Sequence, residues 1–390
     1  MFSDRTNWKL SRNRLTEAME EVKASGARVL DLTLSNPTRA GLHYDESGIL
    51  QSLASPRSLD YDPQPKGLPS ARAAVAAYYR AQHKVDLDPE NIIFTTSTSE
   101  GYSFVFRLLC NPGDELLVPK PSYPLFEFLA DLQDVKLIPY PLIYDHGWQM
   151  DFYSLKKAVT PRMRAVIVVH PNNPTGSFVH SHERELLNHF CHEHNLAVIA
   201  DEVFLDYALD RSPQQSFVAN QNVLTFALSG VSKISALPQM KVAWIVSGGP
   251  GEELEAAQAR LEVIADTYLS MSAPIQWATS ALLDQRNDVQ RQLLDRVLAN
   301  LAELDRQLTQ QKACKRLLVE GGWYAVLRVP ITQTDEELAI RLLREKSVSV
   351  HPGHFYDFPA DGYLVLSLIT PEAEFAEGIG RMLDLLIADL

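Results

Sequence analysis

The sequence contains little cysteine. Only Cys110, Cys191 and Cys314 occur in 390 residues. They are odd in number and far apart, so they fit neither a disulfide framework nor the close spacing of a zinc site. The segment from Met1 to Arg5 lacks the apolar core of a secretion signal. We therefore expect a protein of the reducing cytoplasm that holds no metal.

Positive charge and long apolar runs are also scarce. Asp and Glu outnumber Lys and Arg by 49 to 36, which gives a formal net charge of -13. Because such a surface repels nucleic acids and anionic membranes, we expect neither as a partner. The longest apolar runs, such as Ala165 to Val169, suit buried strands and are far too short to cross a bilayer.

The chain is long enough to form two hydrophobic cores. Short apolar runs alternate with helical stretches from about residue 91 to residue 250, the pattern of a mostly parallel sheet covered by helices. After about residue 280, a long amphipathic stretch precedes short strand-like runs and a final helix. We predict an α/β fold whose large lobe, residues 46–280, contains a mostly parallel seven-stranded sheet. A smaller α+β lobe would combine residues 1–45 and 281–390.

One lysine follows a predicted strand within a run of small residues. Lys233 lies in the segment from Ser229 to Pro238, whose small side chains leave room for a flat ligand near the backbone. A poorly solvated lysine has a lowered pKa, which makes it a competent nucleophile for a Schiff base. A loop lysine that faces water would show the same pattern, so this motif alone leaves both interpretations open.

Two further motifs place polar side chains where predicted strands end. Asn173 lies in His-Pro-Asn-Asn-Pro-Thr-Gly, a stiff turn from which an amide can donate to a ring oxygen. Asp201 lies in Ala-Asp-Glu, where a carboxylate can pair with a protonated pyridine nitrogen. An ordinary turn and a helix N-cap are the respective alternatives.

Hydroxyl groups and an aromatic ring follow two other predicted strands. Ser97, Thr98 and Ser99 lie at a predicted helix N-terminus, which suits either an anion site or a simple cap. Tyr123, in Pro-Ser-Tyr-Pro, could stack on a bound ring or belong to the core.

In this order, each at the end of a strand, the five motifs resemble those of the class I/II pyridoxal-phosphate aminotransferases, which have the aspartate aminotransferase fold (fold type I). The resemblance extends nearly from end to end, from Asp31–Thr38 to Leu366–Leu368. It implies that the cofactor is pyridoxal 5'-phosphate, bound to Lys233 as a Schiff base. It also implies that Lys233 moves the proton between the substrate carbon and the cofactor carbon.

The same resemblance implies the remaining cofactor contacts. Asp201 corresponds to the partner of the pyridine nitrogen, Asn173 to the donor to the ring hydroxyl oxygen, and Tyr123 to the stacking aromatic. The positions that correspond to phosphate contacts are Ser97, Thr98, Ser99, Ser232 and Tyr61. Tyr61 would reach the phosphate of the neighbouring subunit, which implies a homodimer with shared sites.

The sequence departs from the pattern of this family at three positions. Lys241 replaces an arginine that usually binds the phosphate, so the charge is kept and the planar fork is lost. Phe204 replaces a frequent tyrosine and cannot donate to the ring oxygen, for which Tyr207 is an alternative donor. Val365 replaces the arginine that binds the substrate α-carboxylate, and an apolar side chain cannot do so.

Another residue must then bind the substrate carboxylate. Arg39 follows Ser35–Thr38, a segment at the mouth of the site in the family, and is our candidate together with Asn173. A solvated loop arginine is the equal alternative for Arg39. His351 and His354 are further candidates, which we interpret as structural.

We expect an aminotransferase that moves an amino group from an amino acid to a 2-oxo acid. Because Val365 lacks the usual charge, other pyridoxal-phosphate reactions on the same fold are alternatives: a C–S β-lyase, a decarboxylase, a racemase or an amine-specific aminotransferase. A regulator that senses the cofactor would need a DNA-binding extension, which the segment before Asp31 and the acidic surface do not suggest.

Overall fold

The computed structural model describes residues 1–8, 10–212 and 214–388, which form helices and three β-sheets. The α-helices are α1 Arg14–Ala24, α2 Glu46–Leu53, α3 Pro69–His83, α4 Thr98–Leu109, α5 Phe126–Asp131, α6 Phe152–Lys157, α7 Ser181–His194, α8 Val231–Ile234, α9 Gly251–Thr267, α10 Ala273–Asp284, α11 Arg286–Leu308, α12 Asp335–Lys346 and α13 Glu372–Ala388. The strands are β1 Leu30–Asp31, β2 Ile92–Thr95, β3 Glu115–Lys120, β4 Lys136–Tyr144, β5 Trp148–Met150, β6 Met163–Val169, β7 Ala197–Asp201, β8 Thr225–Gly230, β9 Ala243–Gly248, β10 Lys315–Arg316, β11 Tyr324–Arg328, β12 Val348–Ser349, β13 His351–Pro352 and β14 Tyr363–Ser367. None of the helices in these ranges combines the length and the apolar character needed to cross a membrane.

The largest sheet has eight strands in the order β2-β9-β8-β7-β6-β3-β4-β5. The neighbours from β8 to β4 pair in parallel, whereas β9 and β5 run antiparallel to their neighbours. The α/β class and the mostly parallel sheet are therefore confirmed. The sheet has one strand more than the seven expected, because Trp148–Met150 turns back along β4. Its three residues are too few to produce a recognisable apolar run.

Helix α4 lies directly against this sheet and brings its N-terminus to the carboxyl ends of the strands. The contact depends on Gly101, where a Cβ atom would lie 2.6 Å from a methyl carbon of Leu228 in β8. Central residues of the strands, such as Ile167 and Ile199, are fully buried. Apolar clusters cover both faces of the sheet, as expected for strands that are apolar throughout.

A second core surrounds the four-stranded antiparallel sheet β10-β11-β14-β13 and the short parallel pair β1-β12. Helices α1, α11, α12 and α13 contribute to this core. Within the sheet, Val365 of β14 lies between Val326 of β11 and His351 of β13. The division of the chain at residues 45 and 280 stays a prediction.

Candidate active site

A cavity of about 380 Å³ lies where the parallel strands of the large sheet end, and the small sheet forms its other wall. Eight of the predicted residues line it: Thr98, Ser99, Tyr123, Asn173, Asp201, Phe204, Ser232 and Lys233. Ligands of open α/β sheets bind at this edge. A wider groove of about 660 Å³ beside Lys315 lies on the small-sheet part and contains none of them.

Lys233 lies on α8, the single helical turn that follows β8. At Gly230, where β8 ends, a Cβ atom would lie 2.6 Å from the carbonyl oxygen of Val242, so only glycine fits. The Nζ atom of Lys233 lies 4.7 Å from the ring centre of Trp323 and 5.3 Å from that of Phe204. Burial lowers the pKa of Lys233 to about 8, although the nearby charge of Asp201 acts in the opposite direction.

Two buried side chains form hydrogen bonds to backbone carbonyl oxygens of α8. The Tyr207 hydroxyl donates to the carbonyl oxygen of Lys233 at 2.6 Å, and the Gln290 amide donates to that of Ile234 at 2.8 Å. Tyr207 is fully buried and does not line the cavity. Its hydroxyl therefore binds the backbone of α8. It does not replace the tyrosine hydroxyl that the family often has at the position of Phe204 as a donor to the ring oxygen.

Asp201 is the last residue of β7, and its buried side chain lines the cavity together with Lys233. It accepts hydrogen bonds from the Tyr102 hydroxyl at 3.0 Å and from the backbone N–H of Val203 at 3.2 Å. Burial raises the pKa of Asp201 to about 6. Tyr102 was not predicted from the sequence, although its spacing of four residues from Thr98 places both on one face of α4.

Asn173 lies in a tight turn after β6. The turn is closed by the backbone N–H of Gly176, which donates to the carbonyl oxygen of Asn172 at 2.7 Å. The side chain of Asn173 makes no hydrogen bond within the described part of the chain, and its Oδ1 atom is buried. An unpaired amide in a buried position is costly, so this geometry suits a ligand that supplies the partner.

The N-terminus of α4 forms the third polar side of the cavity. Ser97 is the N-cap residue, and its hydroxyl accepts a hydrogen bond from the backbone N–H of Glu100 at 3.2 Å. Thr98 and Ser99, in the first turn, line the cavity, whereas Ser97 does not. Free N–H groups and the positive end of the helix dipole suit an anion such as a phosphate.

Three other predicted residues lie outside the cavity in the single chain. Tyr61 is 79% exposed, and Lys241 is an exposed residue that follows the turn Pro238–Met240. Arg39 is exposed at the end of the turn Pro37–Arg39, although Ser35 nearby lines the cavity. Their roles stay predictions.

The small sheet contributes a wall of the cavity that was largely not predicted from the sequence. Tyr324, His351 and Tyr356 line the cavity, yet only His351 was considered, and we interpreted it as structural. Val365 is fully buried beside His351 and does not line the cavity. Val365, which stands where the family has the carboxylate-binding arginine, is thus part of the hydrophobic core around the small sheet.

The residues present fit pyridoxal phosphate. The cavity offers an amine, a buried carboxylate, an amide without a partner and a helix N-terminus, which match the aldehyde, pyridine nitrogen, ring hydroxyl and phosphate of that group. Within the described ranges, no group of three or more His, Cys, Asp or Glu side chains is placed to hold a metal ion.

Comparison with known proteins agrees with this geometry. The glutamate-pyruvate aminotransferase AlaA of Escherichia coli K12 is 28% identical over 276 residues, which cover 70% of this chain and 67% of that protein. The alanine aminotransferase of Mycobacterium tuberculosis is 24% identical over 377 residues, covering 94% and 87%. The solved structure of an alanine aminotransferase from Pyrococcus furiosus has the same fold, with a TM-score of 0.91, 21% identity and 100% of each chain covered.

The family described as aminotransferase class I and II matches residues 45–379, which is most of the chain. This match extends from α2 into α13 and includes every strand of the large sheet. The five motifs, the fold and the relatives all lead to one conclusion: the chain belongs to the class I and II aminotransferases.

Proposed function

We propose that this aminotransferase uses pyridoxal phosphate, held covalently by Lys233, to move an amino group from a small α-amino acid to a 2-oxo acid. The observation that carries the proposal is the placement of Lys233 and Asp201 in one cavity, next to the N-terminus of α4. The names of the relatives, glutamate-pyruvate aminotransferase and alanine aminotransferase, support a small donor.

The cofactor would be held by groups that already lie in the cavity. Asp201 would pair with the pyridine nitrogen, Asn173 would donate to the ring oxygen, and Tyr123 would stack on the ring. The groups for the phosphate are the hydroxyls of Thr98, Ser99 and Ser232, with the N-cap residue Ser97 behind them. When bound, pyridoxal phosphate supplies an electron sink that stabilises negative charge at the substrate α-carbon.

Lys233 has the properties of a group that moves a proton at that carbon. Its pKa of about 8 lies near neutrality, so the amine and ammonium forms are both accessible during turnover. The rings of Phe204 and Trp323 lie against its Nζ atom and exclude water there. Asp201 stays close enough to favour the ammonium form when the proton has been taken.

In a homodimer, the exposed residues Tyr61 and Lys241 could contact the cofactor phosphate. Tyr61 is a large aromatic with 79% exposure, and we propose that it completes the phosphate site of the neighbouring subunit. Lys241 would add charge to the same phosphate. The free cysteines, of which Cys191 and Cys314 are buried, support a cytoplasmic location.

An amine-specific aminotransferase is the second candidate, and the burial of Val365 favours it. Of the residues that line the cavity, only Lys233 and His351 can carry positive charge. A donor without a carboxylate would need no further cation.

A half-reaction screen tests the proposal. Purified holoenzyme is mixed with single amino acids and with simple amines, while the visible absorbance of the cofactor and the released oxo product are followed. We expect a small amino acid to bleach the band and yield its 2-oxo acid, and Lys233→Ala to lack both the band and turnover. Release of ammonia, carbon dioxide or the mirror-image amino acid without such bleaching would contradict transamination.

A further inference from the structure

The small-sheet wall of the cavity carries hydrogen-bonding groups that the mechanism above does not use. Tyr324 lies at the start of β11, and His351 and Tyr356 lie in and after β13. All three line the cavity that also contains Asp201 and Lys233. An amino acid bound in this cavity would therefore be within reach of this wall.

The imidazole of His351 is oriented by a buried tyrosine. Its Nδ1 atom lies 3.0 Å from the Tyr356 hydroxyl, and Tyr356 is only 5% exposed. The Tyr356 hydroxyl donates to Nδ1 in one of the two tautomers of the neutral imidazole, the one that we adopt here. The neutral ring then carries its proton on Nε2, which has no partner in the same part of the chain. His351 thus presents an N–H donor at the cavity.

Tyr324 presents a second donor. Its side chain is buried, with 6% exposure, and its hydroxyl has no hydrogen-bond partner among residues 1–8, 10–212 and 214–388. The hydroxyl itself is open to the cavity, so a ligand that enters the cavity can accept a hydrogen bond from it. Because this hydroxyl lines the same cavity as His351, a ligand is the natural partner for both.

We propose that His351 and Tyr324 bind the α-carboxylate of the substrate as two hydrogen-bond donors, with Tyr356 as the positioning residue for His351. A carboxylate has two oxygen atoms that only accept hydrogen bonds, and two donors on one wall of the cavity match them. His351 also lies beside buried Val365, on the neighbouring strand. This inference rests on the proposed function, because it places an amino acid in that cavity.

Arg39 is the competing group for the same carboxylate. It carries a permanent charge, but in the single chain it is exposed and does not line the cavity. His351 and Tyr324 are in place without any rearrangement. The two assignments differ in which variant loses affinity for a carboxylate.

The test measures carboxylate binding directly in the holoenzyme. Isothermal titration calorimetry gives the Kd of propionate and of propionamide, which has nearly the same shape and no charge. We expect His351→Phe and Tyr324→Phe each to raise the Kd of propionate by about tenfold or more, since a hydrogen bond to a charged group is lost. The Kd of propionamide should change by less than about threefold, because its interaction with the donors is weaker.

Matched variants distinguish a loss of carboxylate binding from a general disturbance of the fold. His354 is exposed and does not line the cavity, so His354→Phe should leave the Kd of propionate unchanged. His351→Gln keeps an N–H donor and should restore part of the affinity. Tyr356→Phe leaves His351 in place and should weaken propionate binding by a smaller factor.

Equal loss of propionate and propionamide binding in His351→Phe would overturn the inference, as would unchanged binding in both His351→Phe and Tyr324→Phe. Loss of propionate affinity only in Arg39→Ala would assign the carboxylate to Arg39 instead. The proposed function fails separately, when the wild-type enzyme converts no amino donor in the half-reaction screen.

Discussion

The two ionisable groups at the centre of the cavity are shifted in opposite directions by one cause. Burial favours the neutral form of each group, so the pKa of Asp201 rises to about 6 and that of Lys233 falls to about 8. The ammonium form of Lys233 is therefore less stable than that of an exposed lysine. This property is open to measurement before any cofactor is added.

We predict that Lys233 of the cofactor-free protein is acylated half-maximally near pH 8. Only the neutral amine reacts, and because the pKa is lowered to about 8 the labelling rate rises through that pH and levels off above it. Competitive labelling with acetic anhydride, followed by mass spectrometry, measures the rate. The exposed Lys156 serves as the internal reference. A rate at Lys233 that is still rising steeply at about pH 10 would contradict the prediction.

We predict that Asp201→Asn retains the cofactor but lowers kcat by about two to four powers of ten. The amide keeps the shape of the side chain and cannot keep the pyridine nitrogen protonated. Absorbance measures cofactor content, and steady-state kinetics measure kcat. Tyr102→Phe removes only one hydrogen bond to the carboxylate and should cost much less. A loss below about tenfold in Asp201→Asn would make Asp201 a structural cap.

At the scale of elements, a one-turn helix carries Lys233, the lysine that we propose binds the cofactor. Helix α8 is too short to be stable by itself, and its carbonyl groups are fixed by Tyr207 and Gln290. These two contacts come from the loop after β7 and from α11, and they hold the backbone of the turn that carries Lys233.

We predict that Tyr207→Phe lowers the free energy of unfolding by about 0.5–1.5 kcal/mol, because the carbonyl of Lys233 loses one hydrogen bond and keeps the one from the backbone N–H of Ala236. Turnover should fall by several-fold, with little change in KM for the amino donor, since the lysine is displaced and the substrate contacts remain. Urea unfolding and steady-state kinetics measure the two effects. Tyr153→Phe, at an exposed tyrosine, is the control. Unchanged kinetics in Tyr207→Phe would limit Tyr207 to stability.

The large-sheet side of the site could be predicted from sequence because its residues directly follow strands. Lys233, Asp201 and Asn173 each end or follow an apolar run, and parallel strand ends meet at one edge of a sheet. Tyr324 lies inside a strand-like run and Tyr356 in a short turn. Whether such side chains face a cavity depends on how the two cores pack together, which the local pattern does not contain.

At the scale of the whole molecule, exposed Tyr61 suggests that one chain is only part of the enzyme. We predict that Lys233→Ala and Tyr61→Ala proteins, each poorly active, regain activity when they are unfolded together and refolded as a mixture. A hybrid dimer would contain one site with both Lys233 and the partner's tyrosine intact. Random pairing gives up to about a quarter of the wild-type activity. Activity of the mixture no higher than the mean of the separate proteins would argue against shared sites.

The pairing of β6, β7 and β8 sets the spacing of the segments that carry Asn173, Asp201 and Lys233. Val169 of β6 pairs with Asp201 of β7, which pairs with Leu228 of β8. Since neighbouring strands lie about 4.8 Å apart, the sheet fixes the separation of these groups across the site. One residue inserted in β7 would turn the carboxylate to the opposite face of the sheet. Insertions at an exposed bend such as Asp145 would leave that spacing intact, so we expect natural length variation in the turns and none within these three strands.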